Sequence, residues 1–222
     1  MSQHFVHEIE RLKKRVLALG ALVEESVHRA VRSVQDRDGR LATQVIKSDA
    51  EIDRAEVELE EECLKVLALH QPVAQDLRFV VAVLKINNDL ERIGDIVVKI
   101  ADRGIRLTAF PVTAMQGTIM RMGKIAREML GECLDAFIAL DLRKSIALIA
   151  RDDEMDRLNL EVINQVITEA KDEKGGAMIE SLILTQSVAR DLERIGDHAT
   201  NIAEDVAYLV DGTIIRHQQL QG

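Results

Sequence analysis

Asp89-Leu90-Glu91-Arg92-Ile93-Gly94-Asp95 recurs unchanged as Asp191-Leu192-Glu193-Arg194-Ile195-Gly196-Asp197. Seven identical residues, 102 positions apart in a chain of 222, mark an internal duplication. The identity extends outward. Ten of the nineteen positions in 89–107 match 191–209. Upstream, Asp49-Ala50-Glu51-Ile52-Asp53-Arg54 faces Asp152-Asp153-Glu154-Met155-Asp156-Arg157 at a spacing of 103, which also pairs Glu25 with Glu128 and Asp38 with Asp141. One residue is lost between these blocks, near His70-Gln71-Pro72 and Lys174-Gly175-Gly176, where a loop absorbs it. Solenoid repeats run roughly 20–50 residues. A period near 100 is instead the size of a small bundle, written twice.

The repeated stretch sits on a helical seam. Phe79, Val83, Ile86, Leu90, Ile93, Val97 and Ile100 step alternately by four and three, the spacing of a long helix packed in a bundle. Val188, Leu192, Ile195, Ala199, Ile202, Val206 and Leu209 repeat it, and Val45, Ile52, Leu59 and Val66 mark another seam. The only prolines, Pro72 and Pro111, fall where helices break or begin. Asp38-Gly39, Asp141, Gly175-Gly176 and Asp211-Gly212 mark the other joints. Helices are therefore expected near 3–36, 39–70, 73–107, 113–139, 142–173 and 177–210. Segments of roughly 30 residues are about 45 Å long at 1.5 Å per residue. Three joined by short loops make an up-down-up bundle. The expected fold is all-α, a tandem repeat of two three-helix bundles, with 1–107 as the first and 108–222 as the second.

Composition agrees with helices and narrows function. Aromatics are 2% of the chain, so the core is built from Leu, Ile, Val, Ala and Met. A net charge of −9 and the lack of stacking rings argue against nucleic acid. No apolar run approaches the ~20 residues of a membrane span, and no signal-peptide core precedes the charged stretch Glu8–Lys14. A cytoplasmic protein is expected. Cys63 and Cys133 are isolated in apolar-periodic stretches and are expected to be buried free thiols.

The duplicated helix also carries acids. At 100° per residue, Glu91 and Asp95 lie about 140° and 180° from Ile86, facing away from their own seam, with Asn88 beside them. Four residues apart, both carboxylates reach one cation. Glu193 and Asp197 repeat the arrangement. A second acidic row, Asp49, Asp53, Glu56 and Glu60, runs along the helix before; its counterpart is Asp152, Asp156, Asn159 and Ile163. If these two helices lie side by side, the rows converge. Candidate metal ligands are thus Asp49, Asp53, Glu91 and Asp95 in the first half and Asp152, Asp156, Glu193 and Asp197 in the second. Oxygen donors select hard cations such as Mg²⁺, Mn²⁺, Ca²⁺ or iron, not structural Zn²⁺. The plain alternative is a solvated acidic face, with Arg92 pairing Asp89 and Asp95. The exact duplication weighs against it, since a generic solvated face needs no identical residues; Gly94 and Gly196 sharpen the point, because a mid-helix Gly costs about 1 kcal/mol relative to Ala and points to close helix approach, so part of the identity is structural.

No Walker loop, dinucleotide fingerprint, His-Glu-x-x-His or nucleophile motif occurs. Glu25-Ser-Val-His28 has the Glu-x-x-His spacing of di-iron bundles, which use it twice; here Gly131 stands opposite His28. It motivates one alternative, a metal-dependent enzyme or metal store. His198, beside Asp197, is a further candidate nitrogen ligand, with a plain surface histidine as the alternative. His4, His7, His70 and His217 carry no signal.

These motifs resemble the PhoU family, bacterial regulators associated with phosphate uptake. The resemblance rests on Glu91-x-x-x-Asp95 and Glu193-x-x-x-Asp197, on Gln71-Pro72-Val73-Ala74-Gln75-Asp76-Leu77-Arg78, and on the Asp49/Asp53 and Asp152/Asp156 blocks. It covers almost the whole chain. It implies a non-enzymatic regulator, a likeness to proteins that act with the ATPase subunit of a phosphate ABC transporter and with a phosphate-sensing histidine kinase. Such proteins keep the starvation response off when phosphate is plentiful. It implies association with the membrane only through those partners, a homodimer, and metal on the acidic faces: iron or another di- or trivalent cation (Fe, Mn, Mg, Zn). The second half departs from the family pattern at Gly175-Gly176, Asn159 and Ile163, so a cluster there is expected to be poorer in ligands.

Overall fold

The computed structural model describes residues 3–172 and 175–212. They form α1 (Gln3–Gln35), α2 (Gly39–His70), α3 (Ala74–Leu107), α4 (Gln116–Ala139), α5 (Leu142–Ile149), α6 (Asp152–Asp172) and α7 (Gly176–Asp211). Among these residues every regular element is a helix, and six of the seven are long. The architecture is the expected all-α pair of three-helix bundles.

The joints follow from single residues. Asp38 accepts hydrogen bonds from the amides of Arg40 and Leu41 and so caps α2; Asp141 does the same for Arg143 and Lys144 at α5. The residue before each cap, Arg37 and Leu140, takes a left-handed conformation (φ 53° and 50°) that ends the preceding helix. Arg37 also donates to the carbonyls of Leu107, Phe110 and Pro111, tying the linker between the repeats to the end of α1.

One expected helix is two. The stretch 142–173 breaks at Ala150–Arg151. There Arg151 N donates to Leu148 O at 2.9 Å and Glu154 N to Arg151 O at 3.0 Å, three-residue turns in place of helical bonds. The Arg151 side chain turns onto α4, 2.6 Å from Glu132 and 3.1 Å from Glu128. Asp152, Asp153 and Glu154 then open α6, where the positive end of the helix dipole favours acids.

All three expected seams are buried. α3 and α7 are buried on more than one side, because they also pack on each other between the bundles. α1 packs on α4 in the same way. That contact is reciprocal. A Cβ on Gly20 would meet Leu134 Cδ1 at 2.4 Å, and one on Gly123 would meet Val31 Cγ1 at 2.5 Å. Gly20 aligns with Gly123 and Val31 with Leu134 at the spacing of 103. Each repeat offers the same glycine notch to the same aliphatic knob of the other, the signature of a two-fold relation.

Candidate functional site

Each repeat has an acidic groove where its second and third helices cross. In the first, α2 and α3 approach through Gly94: a Cβ there would lie 3.2 Å from Ile52 Cγ2 and 3.4 Å from Asp49 Oδ1. The glycine thus seats the Asp49 carboxylate against α3. In the second, a Cβ on Gly196 would lie 3.4 Å from Met155 Cγ and 3.7 Å from Asp152 Oδ1. The close approach expected of both glycines is present, and both bring a leading aspartate to the same place.

The electrostatics show the rows converging. Asp49 is half-buried and its pKa is pushed up to about 6, first by loss of water and then by Asp53, Asp95 and Glu91. Glu56 is raised by burial, then by Glu60, Glu91 and Asp53; the buried Asn87 amide donates to its carboxylate at 3.1 Å. In the second groove Asp152 is also pushed to about 6, by burial and then by Asp197, Asp156 and Asp153. Burial raises Glu193 and Asp197 too, with Asp156 adding to both; Arg194 attenuates the rise. All eight predicted carboxylates therefore lie in the grooves, four to each, and repel one another across α2–α3 and α6–α7.

Oxygen acceptors remain unused there. Among the described residues, Asp152 Oδ1 and Asn159 Oδ1 are buried without a hydrogen-bond partner. The Thr200 hydroxyl lies close enough to pull Asp152 slightly the other way, without hydrogen-bond geometry. The donor set, all oxygen and undercompensated, fits a hard cation. Among the described residues, as they stand, no three His, Cys, Asp or Glu side chains are grouped closely enough to hold a metal ion.

Several neighbours sit elsewhere than expected. Arg92 pairs with Glu91 (3.5 Å) and Asp95 (3.7 Å), not with Asp89. Asp89 is buried and lies 2.8 Å from Nδ1 of His198, on α7. His198 thus turns from Asp197 toward α3 and is neither a groove ligand nor a free surface histidine. Asp191, the counterpart of Asp89, is buried against Arg103. The heptapeptide's first aspartate therefore joins the repeats, a role whose only trace in the sequence is its identity in both copies. Asn88 lines a cleft between α3 and α7 with Lys85, Asn201 and Glu204 instead of joining the acidic row. Glu25 opens on a groove beside α2 and His28 on one beside α4, so they do not form a common metal site. Cys63 and Cys133 are buried free thiols, Cys63 pushed up to about 12 by burial. His217 lies outside the described residues.

This duplicated helical architecture is shared with known proteins. The PhoU domain matches residues 16–104 and again 119–206. The chain is 33% identical over 217 residues to the phosphate-specific transport system accessory protein PhoU of Serratia marcescens, covering 98% of this chain and 88% of that protein. It is 38% identical over 223 residues to the homolog from Pseudomonas putida, covering 100% and 86%. The crystal structure of PhoU from Pseudomonas aeruginosa superposes with a TM-score of 0.89 at 37% identity, over 94% of this chain and 100% of that one. The phosphate transport system regulatory protein PhoU from Streptococcus pneumoniae gives 0.88 at 29% identity, over 95% and 98%. With a PhoU domain laid over each acidic repeat and relatives matched along nearly their whole length, the chain belongs to the PhoU family.

Proposed function

We propose that this protein is a non-enzymatic accessory regulator of phosphate transport. It acts through contacts with the ATPase subunit of a phosphate ABC transporter and with a phosphate-sensing histidine kinase, and it holds the starvation response off when phosphate is plentiful. The observation that carries the reading is the pair of like-built acidic grooves, open at the surface of a helical scaffold whose relatives are named as transport accessory proteins. No helix of the described residues is long and apolar enough to cross a membrane, so membrane association is expected only through partners.

The grooves would hold iron or another hard cation, with Asp49, Asp53, Glu91 and Asp95 in the first and Asp152, Asp156, Glu193 and Asp197 in the second. A cation would neutralise charge that the side chains alone leave unbalanced. Protons compete for Asp49 and Asp152 near pH 6, so binding should weaken as pH falls through that value. Elemental analysis of protein purified without chelator or affinity tag, after growth with iron, manganese or magnesium, tests this. Metal-free protein under every supplement counts against it. The adaptor reading is tested by pull-down of the transporter ATPase and the sensor kinase, with and without metal. Asp95→Ala combined with Asp197→Ala should leave the fold intact and weaken metal or partner capture. Unfolding of that variant would assign the acids a structural role instead.

A further inference from the structure

α1 and α4 are the same element of the two repeats, yet they cover their neighbours unequally. α1 has 33 residues and α4 has 24. The early turns of α1 lie along α2, with Leu12 and Val16 buried, Arg11 on Glu8 and Glu62, and Arg15 on Glu58 and Glu62. At the spacing of 103, Arg11, Arg15 and Glu62 correspond to Ala114, Thr118 and Gln165. α4 begins only at Gln116, so among the described residues the later half of α6 lacks the cover that α1 gives α2. Between Ile163 and Lys171 no α6 residue is buried, whereas the aligned stretch of α2 buries Glu62, Cys63 and Val66.

What remains is an open groove of about 600 Å³, lined by Ala114, Leu160, Glu161, Gln165, Thr168 and Glu169 among others. Leu160 is 58% exposed, and Ile167 on the same helix is 49% exposed. The Gln165 amide nitrogen donates to Glu161, and its Oε1, shielded from solvent, has no donor among the described residues. Arg157, at one end, is engaged through Nε with the Asp153 carbonyl.

We propose that this groove docks an amphipathic helix of a partner protein, which inserts an arginine beside Glu161, Gln165 and Glu169. The first repeat shows the complement: there the same face is covered by a helix, and the arginine at the equivalent position reaches the acid that Gln165 replaces. Glu161 accepts from two neutral donors, Gln165 Nε2 at 3.3 Å and Thr118 Oγ1 at 3.4 Å; a guanidinium beside Glu161 and Glu169 adds the positive charge, with several donors in one plane. The exposed Leu160 and Ile167 call for apolar residues on the same helix face. The site depends on none of the groove carboxylates and stands or falls apart from cation binding.

The probe is a fluorescein-labelled peptide with the sequence of residues 3–19, titrated with the full chain by fluorescence anisotropy. Saturable binding is expected. It should weaken at least tenfold with Leu160→Asp, with Glu161→Lys, or with Arg11→Ala in the peptide. Ala114→Arg with Gln165→Glu rebuilds the first repeat's pair inside the groove and should abolish binding; far-UV circular dichroism checks that each variant is folded. Absence of saturable binding overturns the proposal. So does affinity unchanged by Leu160→Asp, which would place the peptide elsewhere, for instance exchanged with α1. Concentration-dependent dimerisation of the parent chain that Leu160→Asp removes would also overturn it, since a second copy would then occupy the groove.

Discussion

Asp89 and Asp95 stand six residues apart on α3 and meet different surroundings. Asp89 is buried against His198 of the other repeat, while Asp95 is half-exposed in the groove. Asp89→Ala leaves the partly buried His198 without its carboxylate and should cost ~1 kcal/mol. Asp95→Ala should stay within about 0.5 kcal/mol. Urea denaturation of the two variants checks the contrast. Asp49 makes a prediction of opposite sign. Its carboxyl is held near 6 in the fold against an ordinary 3.8, so the folded chain carries an extra proton between those values. That contribution favours folding below about pH 4 and is lost as pH rises through 6, where the charged group strains the groove. Asp49→Asn should therefore be more stable than the parent at pH 7.5 without metal, by up to ~1 kcal/mol after solvent screening. The gain should vanish by pH 4. Thermal melts across that range give the answer, and added Mn²⁺ should narrow the gap by stabilising the parent alone.

At the scale of elements, seam spacing and caps made most helices legible. The break at Ala150–Arg151 was not, because Arg151 leaves the helical path to reach Glu128 and Glu132 on another helix, and no local signal announces that. The glycines divide the same way. Gly94 and Gly196 were readable as close approaches because they lie inside the duplicated heptapeptide. Gly20 and Gly123 became meaningful only with α1 and α4 in contact. They should not respond alike to alanine, which itself favours a helix by about 1 kcal/mol. The Leu134 methyl facing Gly20 is the far end of a flexible side chain, so Gly20→Ala should be nearly neutral. The Val31 branch facing Gly123 is fixed near its backbone, with Cγ1 at 2.5 Å and Cγ2 at 2.8 Å. Gly123→Ala should lose ~1–2 kcal/mol to overpacking, seen as a melting temperature lower by several degrees.

Across the whole molecule, charge and linker fix how the repeats sit. Among the described residues, three ion pairs, Lys85–Asp205, Arg103–Asp191 and Arg106–Glu180, and the Asp89–His198 contact run along antiparallel α3 and α7. Arg37 holds the crossover by three carbonyls at the end of α3, where a cation is also favoured by the helix dipole. Arg37→Ala should destabilise by ~1–3 kcal/mol, and Arg37→Lys should rescue little, since an ammonium lacks the planar fork that serves several acceptors. Differential scanning calorimetry of the two variants measures both.

The sequence by itself determined the helical class, the duplication and which acids are repeated at like positions of its two halves. Each rests on periodicity or identity along one chain, which heptad spacing and exact repetition carry without reference to any distant residue. The tertiary structure decided which face each acid meets. Asp89 and Asp95 are both polar residues of one helix, and only α7 packed against the first and α2 against the second makes one an inter-repeat contact and the other a groove ligand candidate. The expected helices 3–36 and 113–139 already differ in length, but only packing shows that the turns α4 lacks are those that would lie over the later half of α6.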